Sequence, residues 1–404
     1  MKFYVESYGC TMNQGETEMI AESLEKEGHI QVHSPDEADK ALIGTCVVIK
    51  KTEERMKRRI EELEKKCSEV IVAGCLSSTH KEEMQKRCPT IDFIQPSDVE
   101  MSKKPLRSQE DSIIGTIPIS SGCLGDCSYC ITRLARGKIE SRPLPEIKAR
   151  FEQLLSDSTK EIRLTSQDAA LYGKDLNMDL TELLSELLKI KGDYRLRIGM
   201  MNIDTLKPIK PKFMGLMEDE RIYKFLHIPL QSGSDKILEK MNRNYTVEEW
   251  KKTAKEFRDR FPDLTLSTDV IVGFPGETER DFRKTKKIVK ETKPDVINVT
   301  RFSPREGTTA ADMKDKVHSR KKKQRSKQMT DLRFEISREL NERYVGRRTD
   351  ILVSEKGKGD SLKGRMDNYK VVVIKEEKDE TIGKRKEVEI KSAEDIYLVG
   401  ELTK

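Results

Sequence analysis

At 404 residues, with 37% charged and 35% hydrophobic side chains, the chain exceeds one ordinary domain, has apolar residues enough for a sizeable core and should carry a heavily charged, soluble surface. No charged-then-apolar leader opens it and no apolar run approaches the roughly 18 residues of a transmembrane helix, so a cytoplasmic protein without a membrane partner is expected. The net charge of +6 is unevenly placed: 318–348 holds 11 Lys and Arg against 4 Asp and Glu, which makes a polyanionic partner plausible.

Residues 1–105 alternate short apolar runs (Phe3 to Val5, Ala41 to Ile43, Val70 to Ala73) with helical stretches from about Gln14 and Thr52. This rhythm predicts a parallel α/β sheet. Cys10, Cys46 and Cys75 each follow one of those strands closely, although they are far apart in sequence. Ligands gather beyond the carboxyl ends of strands in such sheets, so three cysteines there can converge on a second metal site or be ordinary loop thiols. Cys67, after a lysine pair, and Cys88, before a proline, read as structural thiols. Eight cysteines used this way suit a reducing compartment better than a disulfide framework.

A second βα rhythm runs over 111–346, with candidate strands at 113–119, 161–165, 195–200, 223–229, 265–272 and 296–302. Six such units predict a partial barrel whose chemistry sits at the carboxyl ends of its strands. After the first strand, Cys123, Cys127 and Cys130 stand in C-x3-C-x2-C spacing, with Gly122 and Gly125 letting the loop fold so that the sulfurs face one point. Structural zinc wants four protein ligands, and no second C-x2-C completes such a site. A four-iron four-sulfur (4Fe-4S) cluster fits better, because three cysteines leave one iron open to another ligand.

With Tyr129 before the last cysteine, this motif resembles the signature of the radical S-adenosylmethionine (radical SAM) enzymes. The resemblance implies that S-adenosyl-L-methionine chelates the open iron and is cleaved there to a radical. Within that superfamily, Gly9-Cys-Thr-Met-Asn13, Gly44-Thr-Cys46 and Ala73-Gly-Cys75 resemble the three cysteine motifs of methylthiotransferases, with Gly44 where the family usually carries asparagine. Cys10, Cys46 and Cys75 would then hold a second 4Fe-4S cluster.

Other strand ends carry further family-like segments. Thr165-Ser-Gln-Asp168 resembles the point where the methionyl amino group is bound, making Gln167 and Asp168 candidates, although Ser166 or Asp168 equally suits a helix cap. In His227-Ile-Pro-Leu-Gln-Ser-Gly-Ser234, Gln231 and Ser232 could reach ribose hydroxyls, and His227 reads as a satisfied histidine. Gly273 and Gly276, with Pro275 stiffening the turn between them, permit close approach to a flat ligand and resemble the adenine-contacting segment. Arg305 is a possible anion contact, and the string Arg133-Leu-Ala-Arg-Gly137 resembles the archaeal and eukaryotic branch acting on threonylcarbamoyladenosine in tRNA.

The helix expected from about Ser319 to Tyr344 carries Arg320-Lys-Lys-Lys323, which alone reads equally as a solvated face. Residues 347–404 show short β runs at 349–354, 369–374, 387–390 and 396–399, predicting a small antiparallel barrel that resembles the RNA-binding TRAM domain. The resemblances together imply a tRNA methylthiotransferase converting N6-threonylcarbamoyladenosine beside the anticodon to its 2-methylthio derivative, served by a reductant and a sulfur donor. Two alternatives differ only in substrate, isopentenyl-adenosine in tRNA or a ribosomal protein aspartate. A third, a non-catalytic iron-sulfur RNA-binding protein, would carry four cysteines per cluster, against three plus three here.

Overall fold

A computed structural model of the chain describes residues 1–95, 98, 113–375 and 381–403; the boundary expected between 105 and 111 lies outside them. β1 (Lys2–Ser7), β2 (Ile30–Val32), β3 (Lys40–Thr45), β4 (Glu69–Gly74) and β5 (Ile91–Ile94) form a parallel sheet in the order β2-β1-β3-β4-β5. Leu42 packs with Phe3, Ile20 and Ile71 on one face, while Ala41, Ile43, Val70 and Val72 pack with Ile60 and Leu63 on the other. Burial on both faces is why these strands read as unbroken apolar runs. Because β1, β3 and β4 are neighbours, their carboxyl ends place Cys10, Cys46 and Cys75 side by side.

The next strands are β6 (Ile114–Pro118), a short ribbon of β7 (Ser120–Ser121) and β8 (Glu140–Ser141), then β9 (Glu161–Thr165), β10 (Arg195–Ile198), β11 (Phe225–His227), β12 (Thr265–Val272) and β13 (Val296–Arg301). β6, β9 and β10 pair in parallel, as do β11, β12 and β13. The two halves meet where Leu196 N donates to Arg221 O (2.7 Å), Tyr223 N to Leu196 O (2.9 Å) and Met201 N to His227 O (3.0 Å). This irregular seam makes β10 and β11 shorter than their apolar runs suggest. Along the strands Ile162, Leu164, Leu196, Ile198, Leu226, Leu266, Val270 and Ile297 join the core under the helices. The alternating positions, Arg163, Arg197, His227, Asp269 and Asn298 among them, therefore face the barrel interior.

β14 (Arg348–Lys356), β15 (Ser361–Arg365), β16 (Val371–Lys375), β17 (Arg385–Ala393) and β18 (Leu398–Leu402) close a barrel in the order β14-β15-β16-β18-β17. It differs from the expected antiparallel barrel in two ways. β15 is an added strand, polar except at Leu362, whose Gly364 lets Ile351 approach: a Cβ there would lie 2.6 Å from Ile351 Cδ1. β16 and β18 pair in parallel.

The turn between β15 and β16 enters the foot of the central barrel. The Tyr369 hydroxyl donates to Glu161 Oε1 (3.1 Å), and its ring lies 4.8 Å from that of Tyr223 and 5.1 Å from that of Phe225. Asp367 pairs with Arg195 (2.9 Å) and Lys370 with Asp295 (2.9 Å). All these core partners stand at or just before the amino ends of their strands. The small barrel thus seals the end opposite the cysteine loops. At the other unit boundary, the Thr11–Lys26 helix lies on β6: a Cβ at Gly15 would lie 2.6 Å from Thr116 Cγ2, Met19 joins the central core, and Glu22 pairs with Arg150.

Tyr369→Ala should destabilise the protein by about 3 kcal/mol, through lost ring packing and the lost hydrogen bond to Glu161, whereas Tyr369→Phe should cost about 1 kcal/mol. Denaturant unfolding checks the first, and limited proteolysis should show the small barrel released in the alanine variant only.

Candidate active site

The three amino-terminal cysteine loops are laced together by two side chains. Asn13 Nδ2 donates to Thr45 O (2.8 Å) and Tyr8 O (3.2 Å), joining the Cys10 loop to the Cys46 loop. Thr45 Oγ1 donates to Ala73 O and accepts from Leu76 N (3.2 Å), joining the Cys46 loop to the Cys75 loop. The approach is close enough to exclude side chains: at Gly9 (φ +109) a Cβ would lie 2.8 Å from Cys46 Cβ. Gly44 is equally confined, a Cβ there meeting Thr17 Oγ1 at 2.1 Å, so Thr17 fills the space an asparagine side chain would enter.

The second set sits on the loop after β6. A Cβ at Gly122 (φ +75) would fall 1.9 Å from Lys138 O, and one at Gly125 would fall 3.3 Å from Cys123 Sγ and 4.0 Å from Cys127 Sγ. The loop is clamped from both sides: Ser128 N donates to Met241 O (3.0 Å), Ser128 Oγ to Lys240 O (2.8 Å), and Ala310 N to Ser128 O (2.8 Å). Among the described residues no three His, Cys, Asp or Glu side chains close on a point that would hold one metal ion. A cluster that gives each thiolate its own iron does not require the sulfurs to meet at one point.

An arginine serves each set. The side chain of Arg136, six residues past Cys130, is buried; its Nε donates to Cys75 Sγ (3.4 Å), while Nη2 donates to Glu16 Oε2 (2.6 Å) and Asn13 Oδ1 (2.7 Å). It therefore spans from the helix behind one cysteine loop to the ligand loop of the other. Arg243 Nη1 donates to Cys127 Sγ (3.2 Å) and Nη2 to Asn202 Oδ1 (2.6 Å). Burial pushes the Cys75 and Cys123 thiols up to about 11, and it raises Cys46 and Cys127 also.

Asp168 is buried and fully engaged: it caps Ala170 N (3.1 Å) and accepts from Asn202 Nδ2 and Thr205 Oγ1 (2.8 Å each). It thereby orients Asn202, and through it Arg243 and Cys127. Gln167 Nε2 meets Met12 Sδ, and Gln231 adopts the left-handed conformation (φ +60) with its backbone bonded to Asp269 and Ile271. Ser232 is buried and accepts from Ser234 N (3.3 Å). Around the mouth, Ser120 Oγ, Thr165 Oγ1, Ser166 Oγ, Gln167 Oε1 and Gln231 Oε1 are buried without a partner. Each costs about 1–3 kcal/mol unless a ligand supplies the missing bond. They line the ends of β6, β9 and β11, and fit a polar cofactor seated beside the cluster loop.

Tyr129 stacks edge-on against Phe274 (6.2 Å), which sits between Gly273 and Pro275 and brings that segment to the cluster loop. Gly273 N donates to Glu277 Oε2 (2.7 Å), which also holds Arg325 Nη1 (2.6 Å), and the Lys322 stem covers Gly273. A Cβ at Gly276 would meet Lys240 Nζ at 2.3 Å. Thus Lys322 and Arg325 of the basic helix point inward, while Arg320, Lys321 and Lys323 are exposed. His227 Nε2 is paired with Asp269 Oδ2 (2.8 Å), as a satisfied histidine, and Arg305 with Glu53 of the amino-terminal unit. Sequence reasoning missed Arg243 and Asn202, which lie in no recognisable motif and meet the site only through the fold.

Residues 117–289 match the Radical SAM superfamily, residues 2–95 the uncharacterized protein family UPF0004, and residues 342–403 the TRAM domain. A probable threonylcarbamoyladenosine tRNA methylthiotransferase of Methanocaldococcus jannaschii is 40% identical, covering 100% of this chain and 97% of its own. A protein of the same name in Pyrococcus abyssi is 36% identical, covering 100% and 99%. A tRNA-2-methylthio-N(6)-dimethylallyladenosine synthase of Thermosipho africanus is 34% identical over 100% of both chains. Among solved structures, the radical S-adenosylmethionine methyltransferase TsrM of Kitasatospora setae superposes with a TM-score of 0.58 at 13% identity, covering 77% of each chain, a likeness of fold alone. With relatives of this identity along its whole length, the chain belongs to the radical S-adenosylmethionine methylthiotransferase family.

Proposed function

We propose that this enzyme converts N6-threonylcarbamoyladenosine beside the anticodon of tRNA to its 2-methylthio derivative, using two 4Fe-4S clusters. The observation that carries the reading is the juxtaposition of two three-cysteine sets through Arg136, which touches Cys75 from the helix that follows Cys130. A cluster at Cys123, Cys127 and Cys130 with bound S-adenosyl-L-methionine would supply the radical chemistry that an unactivated aromatic C–H requires, since no side chain of matched pKa removes such a proton. A second cluster at Cys10, Cys46 and Cys75 would hold the sulfur to be transferred.

The chain's own residues position these groups. Asn13 and Thr45 hold the three amino-terminal loops in register, Arg136 fixes them against the central barrel, and the network from Asp168 through Asn202 and Arg243 fixes Cys127. Gln167 and Gln231 offer unpaired oxygens to the cofactor, Ser232 lies at the same strand end, and the turn of Gly273, Pro275 and Gly276 lies beyond Phe274 and Tyr129. The Thermosipho africanus relative supports dimethylallyl-adenosine as a second reading. The polar inner face of the barrel favours the charged substituent. A cytoplasmic location fits tRNA as substrate, and no helix among the described residues is long and apolar enough to cross a membrane. An external reductant and a sulfur donor complete the reaction.

Anaerobic reconstitution with iron and sulfide, followed by reductant, S-adenosyl-L-methionine and tRNA bearing threonylcarbamoyladenosine, should yield the methylthio nucleoside by mass spectrometry. Cys10→Ala should abolish the product yet keep 5'-deoxyadenosine formation, whereas Cys123→Ala should abolish both. Arg136→Gln leaves the buried Glu16 carboxylate unpaired and should cost about 3–5 kcal/mol in unfolding free energy, with Arg136→Gln/Glu16→Gln recovering part of it. If the exposed basic residues grip phosphates, Lys321→Gln/Lys323→Gln should lower the salt dependence of tRNA affinity by about 1.5 log units per log salt. An unchanged slope removes this helix from the RNA-binding surface.

A further inference from the structure

Among the described residues, the charged groups that line the barrel interior are paired, with Arg197 the exception. Arg163 is bonded to Glu161 (2.6 Å), His227 to Asp269 (2.8 Å), and Arg365, entering from the small barrel, to Glu355 (3.1 Å). Arg197 sits on β10 one residue before its carboxyl end, at an inward-facing position between the core residues Leu196 and Ile198. Among the described residues its guanidinium makes no hydrogen bond and no ion pair. Its contacts are aromatic faces, 5.1 Å from the ring centroid of Phe225 and 6.0 Å from that of Tyr369. Desolvation lowers its pKa most, and the positive charges of Arg163 and Arg365 lower it further against the opposing pull of Tyr369 and Glu161. A guanidinium carries five donors in a planar fork, and Arg197 is only half-buried, so those donors are open to an anion that enters the barrel.

Tyr369 closes the foot of the barrel through Glu161, so among the described residues the open approach to Arg197 is from the mouth, beside the two cysteine sets. What enters must be narrow, anionic and attached to the reacting group. The N6 substituent of threonylcarbamoyladenosine ends in the free carboxylate of threonine, and the dimethylallyl substituent carries no charge.

We propose that Arg197 binds the carboxylate of the substrate's threonylcarbamoyl group, which makes it a specificity-determining residue. This rests on the substrate reading above. The two aromatic faces hold the guanidinium plane in place, and Arg163 is kept from competing by its bond to Glu161. A charge-assisted fork of this kind discriminates by roughly 10- to 100-fold between a carboxylate and its neutral isostere.

The test is a double-mutant cycle on the reconstituted holoenzyme. kcat/KM for methylthiolation is measured with anticodon stem-loop RNAs whose threonylcarbamoyl carboxylate is free or converted to the primary amide, using wild type, Arg197→Met and Arg197→Lys. Amidation and Arg197→Met should each lower the rate constant roughly 10- to 100-fold and together cost no more than either alone, with Arg197→Lys intermediate. Thermal unfolding of Arg197→Met should show little loss of stability, since among the described residues the guanidinium has no hydrogen bond or ion pair to lose. Multiplicative losses would overturn the proposal. So would weakened binding of S-adenosyl-L-methionine to Arg197→Met without RNA, which assigns the arginine to the cofactor's carboxylate. If wild type modifies dimethylallyl RNA and not the threonylcarbamoyl RNA, the substrate reading itself fails and the Arg197 proposal with it. If wild type modifies the threonylcarbamoyl RNA and Arg197→Met retains its full preference for the free carboxylate, only the Arg197 proposal fails.

Discussion

One buried arginine side chain ties the two cysteine sets together. Arg136 pairs with both carboxylate oxygens of Glu16, reaches Asn13 and touches Cys75, all across the boundary between the central barrel and the amino-terminal sheet. Ion pairs buried this deeply are weak contributors to net stability, but breaking one leaves a stranded charge, so they hold geometry strictly. The consequence is a fixed relation between two cysteine sets whose nearest members, Cys75 and Cys123, are 48 residues apart in sequence, which flexible docking of two units would not secure. Arg305 on Glu53 and Arg150 on Glu22 repeat the device around the same boundary.

The opposite end of the barrel is closed by a different interaction. Tyr369 lies among Tyr223, Phe225 and Glu161, with Asp367 and Lys370 pairing outward to Arg195 and Asp295. With the foot sealed, the open end among the described residues is the one beside the cysteine loops. Sealing the foot also places the small barrel away from the mouth, so an RNA held by both must run along the flank of the central unit. The basic Ser319–Glu342 helix joins the two, and its exposed Arg320, Lys321 and Lys323 lie at its amino-terminal start.

Much of this was legible from residue patterns, where the pattern was long enough. Glu161–Thr165 and Thr265–Val272 alternate clearly and form strands over those residues, whereas β2 and β5, three and four residues long, carry too little period to be read. β15 escaped because only Leu362 and Gly364 face inward on it. The cysteines were legible because their spacing is chemical. The arginines were not, because their role depends on which carboxylate or sulfur the fold sets against them: Arg136 reads in sequence as a branch marker and is in space a strut. The basic run at 320–323 showed the opposite error, since Lys322 folds back to cover Gly273 while its neighbours stay in solvent.

The central claim is that this chain carries two clusters on separate three-cysteine sets held side by side. The most direct measurement is iron content with electron paramagnetic resonance of the reduced, reconstituted protein, for wild type and for variants with alanine at Cys10, Cys46 and Cys75 or at Cys123, Cys127 and Cys130. The account predicts about eight irons per chain in wild type, four for each cluster, and about four in either variant. S-adenosyl-L-methionine should perturb the signal that depends on Cys123, Cys127 and Cys130. About four irons in wild type, unchanged when Cys10, Cys46 and Cys75 are replaced, would contradict it.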